Sequence, residues 1–271
     1  MPYWCAPPVT HTDLCLRAIR RGIHVLCEKP LAIEYEPADR IVRAAVEQEV
    51  LFTMASKFRH VSAVTAAKSL VTSGVLGEIV LFENTFTAHV DMSSRWNSDP
   101  RVSGGGVLID NGTHSVDIIR YFLGPLRELQ AVEGKRIQDL PVEDTVRMFV
   151  RTQTDVMATI DLSWSINKQQ PYYISLYGTN GTAHIGWQES VYRRREDREW
   201  TVFGQGYDKL QAFRGQIDNF SGAIRGDQKL IITAADALAS VRVIEVAYEA
   251  LRRDAWVPIS DGLPVHAYPH R

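Results

Sequence analysis

Short apolar runs recur along the first 56 residues and are separated by longer stretches of mixed polarity. The runs at residues 3–6, 24–27 and 50–55 have the length of buried strands rather than of helices. Pro7 and Pro8 follow the first run and end its pairing. The sequence therefore predicts three short strands in this part of the chain.

An amphipathic stretch with helical spacing lies in each gap between these runs. We expect Thr10 or Thr12 to cap the first helix and Gly22 to follow its end in the left-handed conformation. Pro37 is expected to open the second helix. Strands that alternate with helices in this way predict a doubly wound parallel sheet.

The periodicity changes after a further predicted helix at residues 61–73, which Gly74 ends. Beyond it, long strands with short connections predict a mostly antiparallel sheet. The predicted strands are 78–89, 126–137, 144–151, 156–164, 172–177 and 182–187, and the further helices are 110–123, 209–225 and 233–252. This change predicts two domains, at residues 1–56 and 57–271, with the last helix returning to the first domain.

Composition excludes several classes of protein. The 271 residues are 45% hydrophobic and carry a net charge of −2, which predicts a globular protein without a nucleic-acid or membrane partner. The three cysteines form no C-x-x-C pair and indicate a reducing compartment. Because the first residues resemble no signal peptide, we expect a cytoplasmic protein.

The first candidate for chemistry is Glu28-Lys29-Pro30, directly after a predicted parallel strand. Ligands of open parallel sheets bind beyond the carboxyl ends of the strands, where Lys29 is expected to lie. The alternative from position alone is an ordinary surface lysine. The bond before Pro30 is also one that permits a cis peptide.

The second candidate is the run from Gly104 to His114. Asp110 and His114 are four residues apart, so on a helix they share one face and form a plausible acid–base pair. The alternative is a helix N-terminus in which Asp110 binds free backbone amides and His114 is an ordinary buried histidine. No metal is expected, because this motif offers only two ligands.

Other side chains near these segments suit a hydroxylated substrate. Arg95, Trp96, Lys57 and Arg59 combine cationic donors with an aromatic surface. No glycine-rich segment completes the G-x-G-x-x-G fingerprint of dinucleotide-binding proteins.

Taken together, these motifs resemble the Gfo/Idh/MocA (glucose-fructose oxidoreductase / inositol dehydrogenase / MocA) family. The resemblance rests on three segments: C-A-P-P-x-x-H from Cys5, G-I-H-V-L-C-E-K-P-L-A from Gly22, and G-G-G-V-L-I-D-N-G-T-H-S-V-D from Gly104. Trp96 also lies where family members often have tryptophan. The resemblance covers nearly the whole chain.

The resemblance implies roles for individual residues. Lys29 would contact the reacting hydroxyl and the cofactor ribose, while Asp110 and His114 line the substrate site and His114 handles the proton. The residues expected to border the nicotinamide half of NAD or NADP are Pro7, Pro8, His11, Glu28, Lys29 and Pro30. Arg59 and Trp96 are expected to bind substrate, and Lys57 replaces the asparagine of the family's N-x-R-F motif.

The implied fold is α/β, with a partial Rossmann-like parallel sheet followed by an α+β domain that carries a large, mostly antiparallel sheet. The implied enzyme is an NAD(P)-dependent oxidoreductase that transfers hydride from a hydroxyl of a sugar, cyclitol or related polyol, in a homo-oligomer formed through the C-terminal sheet. Two alternatives stay open: a noncatalytic polyol-binding or oligomerisation module, and a nicotinamide-assisted glycosidase or lyase.

The family's first strands, its glycine fingerprint and the residue that selects NAD or NADP have no counterpart in this sequence. We therefore expect an N-terminally truncated homologue. It would be a fragment or a gene with a misplaced start, a shortened protein without catalysis, or a chain whose sheet edge another chain completes.

Overall fold

The first unit of the protein is a three-stranded parallel sheet with helices packed on it. A computed structural model describes residues 3–4 and 6–260. Its first elements are β1 (Tyr3–Trp4), α1 (Pro8–Ile19), β2 (Val25–Glu28), α2 (Tyr35–Glu47) and β3 (Phe52–Ala55). The strands lie in the order β1-β2-β3 and both pairings are parallel, which confirms the predicted partial Rossmann-like sheet.

Both helices of this unit begin earlier than predicted. Helix α1 starts at Pro8, and the Thr10 hydroxyl donates to the Pro7 carbonyl instead of capping the helix. Proline at the first helical position needs no amide partner, so the Thr10 and Thr12 cap was wrong. Helix α2 starts at Tyr35 because the amide of Tyr35 donates to the Glu245 carboxylate, 2.9 Å away.

The second unit is built on a nine-stranded sheet. Its strands are β4 (Ile79–Thr87), β5 (Leu126–Glu133), β6 (Thr145–Thr152), β7 (Met157–Ser163), β8 (Tyr172–Gly178), β9 (Gly181–Gly186), β10 (Ser190–Arg194), β11 (Thr201–Gly204) and β12 (Val257–Pro258). They lie in the order β11-β10-β9-β8-β4-β7-β6-β5-β12, and all pairs are antiparallel except β4 with β7. The mostly antiparallel sheet is thus confirmed.

Three strands of this sheet were missed by the periodicity. Strands β10 and β11 form its edge beside β9, and β12 contributes only two residues beside β5. Short or half-exposed edge strands have no strong apolar alternation, so their pairing depends on the neighbouring strand rather than on their own pattern.

Helices accompany the sheet in the second unit, and the first, third and fifth of them pack on its strands. They are α3 (Ser62–Thr72), α4 (Pro100–Ser103), α5 (Val107–Leu123), α6 (Lys209–Arg225) and α7 (Ala234–Arg253). Helix α5 supplies Leu108, Ile118 and Ile119, each fully buried, to the core against the sheet. None of the described helices is both long and apolar enough to cross a membrane.

Helix α7 connects the two units. Its residues Ala237, Leu238 and Val241 belong to the core of the parallel sheet, while Val243 and Ile244 belong to the core of the large sheet. This confirms that the last helix returns to the first unit. The domain boundary at residue 56 stays a prediction.

The buried His60 provides a pH-dependent contribution to stability. It lies in the 3-10 turn Lys57–His60 after β3 and is 7% exposed. Burial, assisted by the charge of Arg59, lowers the pKa of His60 from 6.5 to about 4. Between pH 4 and pH 6.5, His60 is protonated in the unfolded chain and neutral in the folded one. The stability that the neutral, buried His60 contributes is therefore present above pH 6.5 and is lost as the pH falls towards 4.

We therefore expect His60→Gln to weaken the acid sensitivity of the fold. Between neutral pH and about pH 4.5, the free energy of unfolding should fall by roughly 2–3 kcal/mol less in the variant than in the parent. Urea denaturation at both pH values measures this difference. Equal losses in the two proteins would contradict the assignment.

Candidate functional site

A cavity lies where the parallel strands end. The register pairs Glu28 of β2 with Ala55 of β3, so the segments that follow both strands leave the same edge of the sheet. The cavity at this edge has a volume of about 390 Å3. Its lining residues are Ala6, Pro7, Pro8, Glu28, Lys29, Pro30, Trp96, Asn97, Ser103, Ile109 and Asp110. Both its position and its size are typical of a small-molecule site.

Lys29 and Asp110 meet in this cavity. The Lys29 Nζ donates to the Asp110 backbone oxygen over 2.9 Å and also forms an ion pair with the Asp110 carboxylate. The two side chains are only 16% and 24% exposed, and the bond between Lys29 and Pro30 is cis. A cation is thereby held at the edge of the parallel sheet by the first turn of α5.

Asp110 is free for this contact because another carboxylate binds the start of α5. The Glu143 Oε1 accepts the amide protons of Gly106 and Leu108 over 2.9 and 3.0 Å and the hydroxyl proton of Tyr248 over 2.8 Å. The alternative in which Asp110 binds the free amides is therefore wrong. Burial raises the pKa of Glu143, a residue that the sequence did not mark.

The glycine triplet before α5 serves close packing. A Cβ at Gly105 would overlap the Tyr248 hydroxyl, and one at Gly106 would overlap the Glu143 carbonyl oxygen. Gly104 adopts a φ of 85°, which favours glycine. These contacts place the first turn of α5, and with it Asp110, against the cavity.

His114 lies one helical turn after Asp110 and is buried. Its Nδ1 has no hydrogen-bond partner among the described residues, and its ring meets the edge of Phe58 at a centroid distance of 5.1 Å. Burial, and then the charges of Lys29 and Lys57, lower the pKa of His114 well below its usual value. The imidazole is therefore neutral at neutral pH and retains a nitrogen able to accept a proton.

Further aromatic residues without a sequence signal pack around the Phe58 ring that contacts this histidine. We call them the aromatic cluster: Phe58, Phe86, Tyr173, Trp187 and Tyr207. The Phe58 ring lies 4.9 Å from Phe86, 5.8 Å from Tyr173 and 5.4 Å from Tyr207, and Tyr173 lies 4.5 Å from Trp187. The Tyr173 hydroxyl is buried and has no hydrogen-bond partner in the described part of the chain. Separate segments contribute these rings, so no local motif marks them.

The predicted cofactor-binding residues divide into two groups. Pro7, Pro8, Glu28, Lys29 and Pro30 line the cavity. His11 does not line it, because its buried ring bridges the carbonyl oxygens of Ala6 and Pro30 over 2.8 Å each. This histidine therefore holds together the segments that follow β1 and β2.

The predicted substrate-binding residues are also separated. Trp96 and Asp110 both line the cavity, and Trp96 is 46% exposed. Arg59 is 4% exposed and is not among the lining residues, because its guanidinium pairs with Asp117 at 2.7 Å and with Asp236 at 3.3 Å. The structure thus places Arg59 in the interior, where it joins α5 to the start of α7.

Four further lining residues were not predicted as site residues, and two of them, Ala6 and Ile109, stand inside the quoted motifs. Asn97 follows Trp96, Ser103 ends α4, and Ile109 precedes Asp110. In the ranges 3–4 and 6–260, no group of three potential metal-ligating side chains is found.

Two family models match separate parts of the chain. The model described as "Oxidoreductase family, NAD-binding Rossmann fold" matches residues 3–56, and the one described as "GFO/IDH/MocA C-terminal domain" matches residues 64–184. Both are models of the same family, and they match in the order in which the two units occur.

Individual proteins agree with these matches. A levoglucosan dehydrogenase of Pseudarthrobacter phenanthrenivorans is 28% identical over 141 residues, 51% of this chain and 36% of that protein. The rhizopine catabolism protein MocA of Rhizobium meliloti is 25% identical over 92% of this chain and 74% of its own length. For three curated relatives, the match spans only 36%, 53% and 40% of their lengths.

A solved structure shows the same fold. The structure of levoglucosan dehydrogenase in complex with NADH and levoglucosan superposes with a TM-score of 0.89 at 20% identity. The superposition covers 96% of this chain and 80% of that one.

Proposed function

The chain belongs to the Gfo/Idh/MocA family of oxidoreductases, and from this premise we propose that it oxidises a hydroxyl of a sugar, cyclitol or related polyol with NAD or NADP. One observation carries the proposal: the Lys29–Asp110 ion pair lines a cavity at the carboxyl ends of parallel strands, one helical turn from the neutral His114.

The residues at the cavity fit the nicotinamide half of such a cofactor. The segments after β1 and β2 form one wall, where Pro7, Pro8, Glu28 and Pro30 would hold that half. His11 keeps the two segments together through its bonds to Ala6 and Pro30. When bound, the nicotinamide supplies a hydride acceptor.

Oxidation of an alcohol also requires the removal of its hydroxyl proton. The neutral His114, one helical turn from Asp110, would accept this proton. Lys29 would donate a hydrogen bond to the reacting oxygen and stabilise the negative charge that develops there. Asp110 holds the Lys29 ammonium in place, so this cation is positioned before substrate arrives.

The aromatic cluster supports a sugar or polyol as the substrate. Its Phe58 ring packs against His114, and the Tyr173 hydroxyl within it has no hydrogen-bond partner among the described residues. Aromatic rings with a few polar groups are typical of sites that bind sugars. Trp96 adds an aromatic surface at the cavity. Levoglucosan, the sugar bound in the similar structure, is therefore a suitable first test compound.

Calorimetric titration with NADH and then NADPH tests this proposal. We expect the folded chain to bind one of them with a micromolar Kd and to reduce the oxidised form in the presence of a polyol. Absence of binding by a folded chain would contradict the proposal and favour the noncatalytic polyol-binding module. Product analysis separates net oxidation from the glycosidase or lyase reaction.

We also propose that copies of this chain associate through the face of the nine-stranded sheet that the helices leave uncovered. Leu81, Phe149 and Met157 alternate with buried residues of β4, β6 and β7 and are half-buried or exposed. Light scattering on Met157→Glu should show a smaller assembly than the parent. Equal masses would contradict this interface.

A further inference from the structure

Lys57 lies near the candidate site but is not among the residues that line its cavity. It follows β3, whose last residue, Ala55, pairs with Glu28 of β2. Lys57 and Lys29 therefore leave the same edge of the parallel sheet from neighbouring strands. Phe58, the next residue after Lys57, meets the His114 ring, whose pKa is lowered by burial and then by the charges of Lys29 and Lys57.

The Lys57 ammonium is held between aromatic rings. Its Nζ lies 5.5 Å from the centroid of Phe58 and 5.3 Å from that of Phe213. Phe58 is also the ring that contacts His114 and joins the aromatic cluster. The cation is thus held at the edge of the aromatic cluster.

The charge of Lys57 is poorly compensated. Within residues 3–4 and 6–260 no carboxylate lies within 4.0 Å of its Nζ, whereas Lys29 has Asp110 as its partner. Burial, and then the charges of Lys29 and Lys209, lower the pKa of Lys57, and the more distant carboxylates of Glu28 and Asp110 offset this only in part. A half-buried ammonium next to other cations is stabilised by an anion more than by a neutral ligand.

We propose that Lys57 binds an anionic oxygen group of the substrate, so that the substrate is a sugar acid or a sugar phosphate rather than a neutral sugar. This inference rests on the proposed function, because it places the sugar between the Lys29–Asp110 pair and the aromatic cluster. The ring hydroxyls then meet Lys29 and His114, while the anionic substituent faces Lys57.

Matched ligands test the proposal by calorimetry on the full chain without cofactor. D-glucose, D-glucuronate and D-glucose 6-phosphate share one ring and differ in the substituent at C6, and the galacto and manno series repeat the comparison. We expect an anionic member to bind more tightly than its neutral counterpart. The carboxylate and the phosphate arms identify which anion is preferred.

Lys57→Met removes the charge and keeps a side chain of similar length against Phe58 and Phe213. The Kd of the anionic ligand should rise about 10- to 100-fold, the value expected for the loss of a charge-assisted hydrogen bond, while that of the neutral ligand changes less than about threefold. Lys57→Arg should retain the preference for the anion.

Lys68→Met is the matched control. Lys68 is also half-buried and lies over an aromatic ring, with its Nζ 5.3 Å from the centroid of Tyr121, but it is on α3. Burial, and then the charge of Arg59, lower the pKa of Lys68, and no residue that lines the cavity contributes to this shift. This variant should bind both kinds of ligand as the parent does.

The proposal is overturned if no anionic sugar binds, if anionic and neutral members bind equally, or if Lys57→Met weakens both equally. A chain that oxidises neutral sugars with NAD or NADP and ignores their acids would contradict this inference and leave the proposed function intact. Lys57-dependent binding of an acid by a chain that binds no cofactor would support this inference and contradict the proposed function.

Discussion

Lys29→Met is expected to lower kcat/KM for sugar oxidation by about three orders of magnitude. The substitution removes the cation that Asp110 holds at the cavity and leaves the Asp110 carboxylate, 24% exposed, without its ion-pair partner. The negative charge that develops on the reacting oxygen then lacks the hydrogen bond from Lys29, and the unpaired Asp110 carboxylate repels it. Steady-state formation of NADH or NADPH measures the effect.

His114→Gln provides a second test of the same arrangement. Glutamine retains hydrogen-bonding atoms but accepts no proton at neutral pH, so kcat should fall by about two to four orders of magnitude with a smaller change in KM. Lys68→Met is expected to retain activity. Unchanged turnover in both site variants would reject Lys29 and His114 as the catalytic pair.

Arg59→Met is expected to lower the free energy of unfolding by about 3–5 kcal/mol. Arg59 is 4% exposed, and its removal leaves the carboxylate of Asp117, which is fully buried, without its cation. Asp236 would lose the same partner, and the Ser56 hydroxyl would be the remaining described donor to the Asp117 side chain. Denaturant unfolding followed by circular dichroism measures the loss.

Arg225→Met is the control for Arg59→Met. Its pair with Asp227 is exposed, with side chains that are 61% and 59% accessible, and such pairs contribute about 0–1 kcal/mol. If Arg59→Met instead retained full stability and only raised KM for the sugar, the substrate-binding role predicted from the sequence would be favoured.

The strongly periodic elements were predicted closely. Helix α6 has the predicted bounds of 209 and 225, and helix α7 begins and ends one residue after the predicted ones. Helix α5 begins three residues before the predicted residue 110, because Glu143 from a distant segment binds the amides of its first turn. Helix ends that depend on distant partners have no signal in their own residues.

The candidate site was predicted in part. Lys29, Asp110 and His114 belong to short motifs that marked them before any fold was known, and Trp96 was marked by its position upstream of one of these motifs. Arg59 belongs to a motif as well, but its environment is set by Asp117 and Asp236. The motifs therefore indicated residues able to carry chemistry, but they did not indicate which of these side chains reach the cavity.

The sequence by itself determined the order and type of the main elements and marked positions 29, 110 and 114 as candidates for chemistry, because periodicity and motif spacing are properties of neighbouring residues. The tertiary structure decided the partners. It joined Lys29 to Asp110 across 81 residues of chain, assembled the aromatic cluster from separate segments, and buried Arg59 among carboxylates. These outcomes depend on which surfaces pack together, because a charged side chain is stabilised in the interior only where distant segments supply its counter-charge.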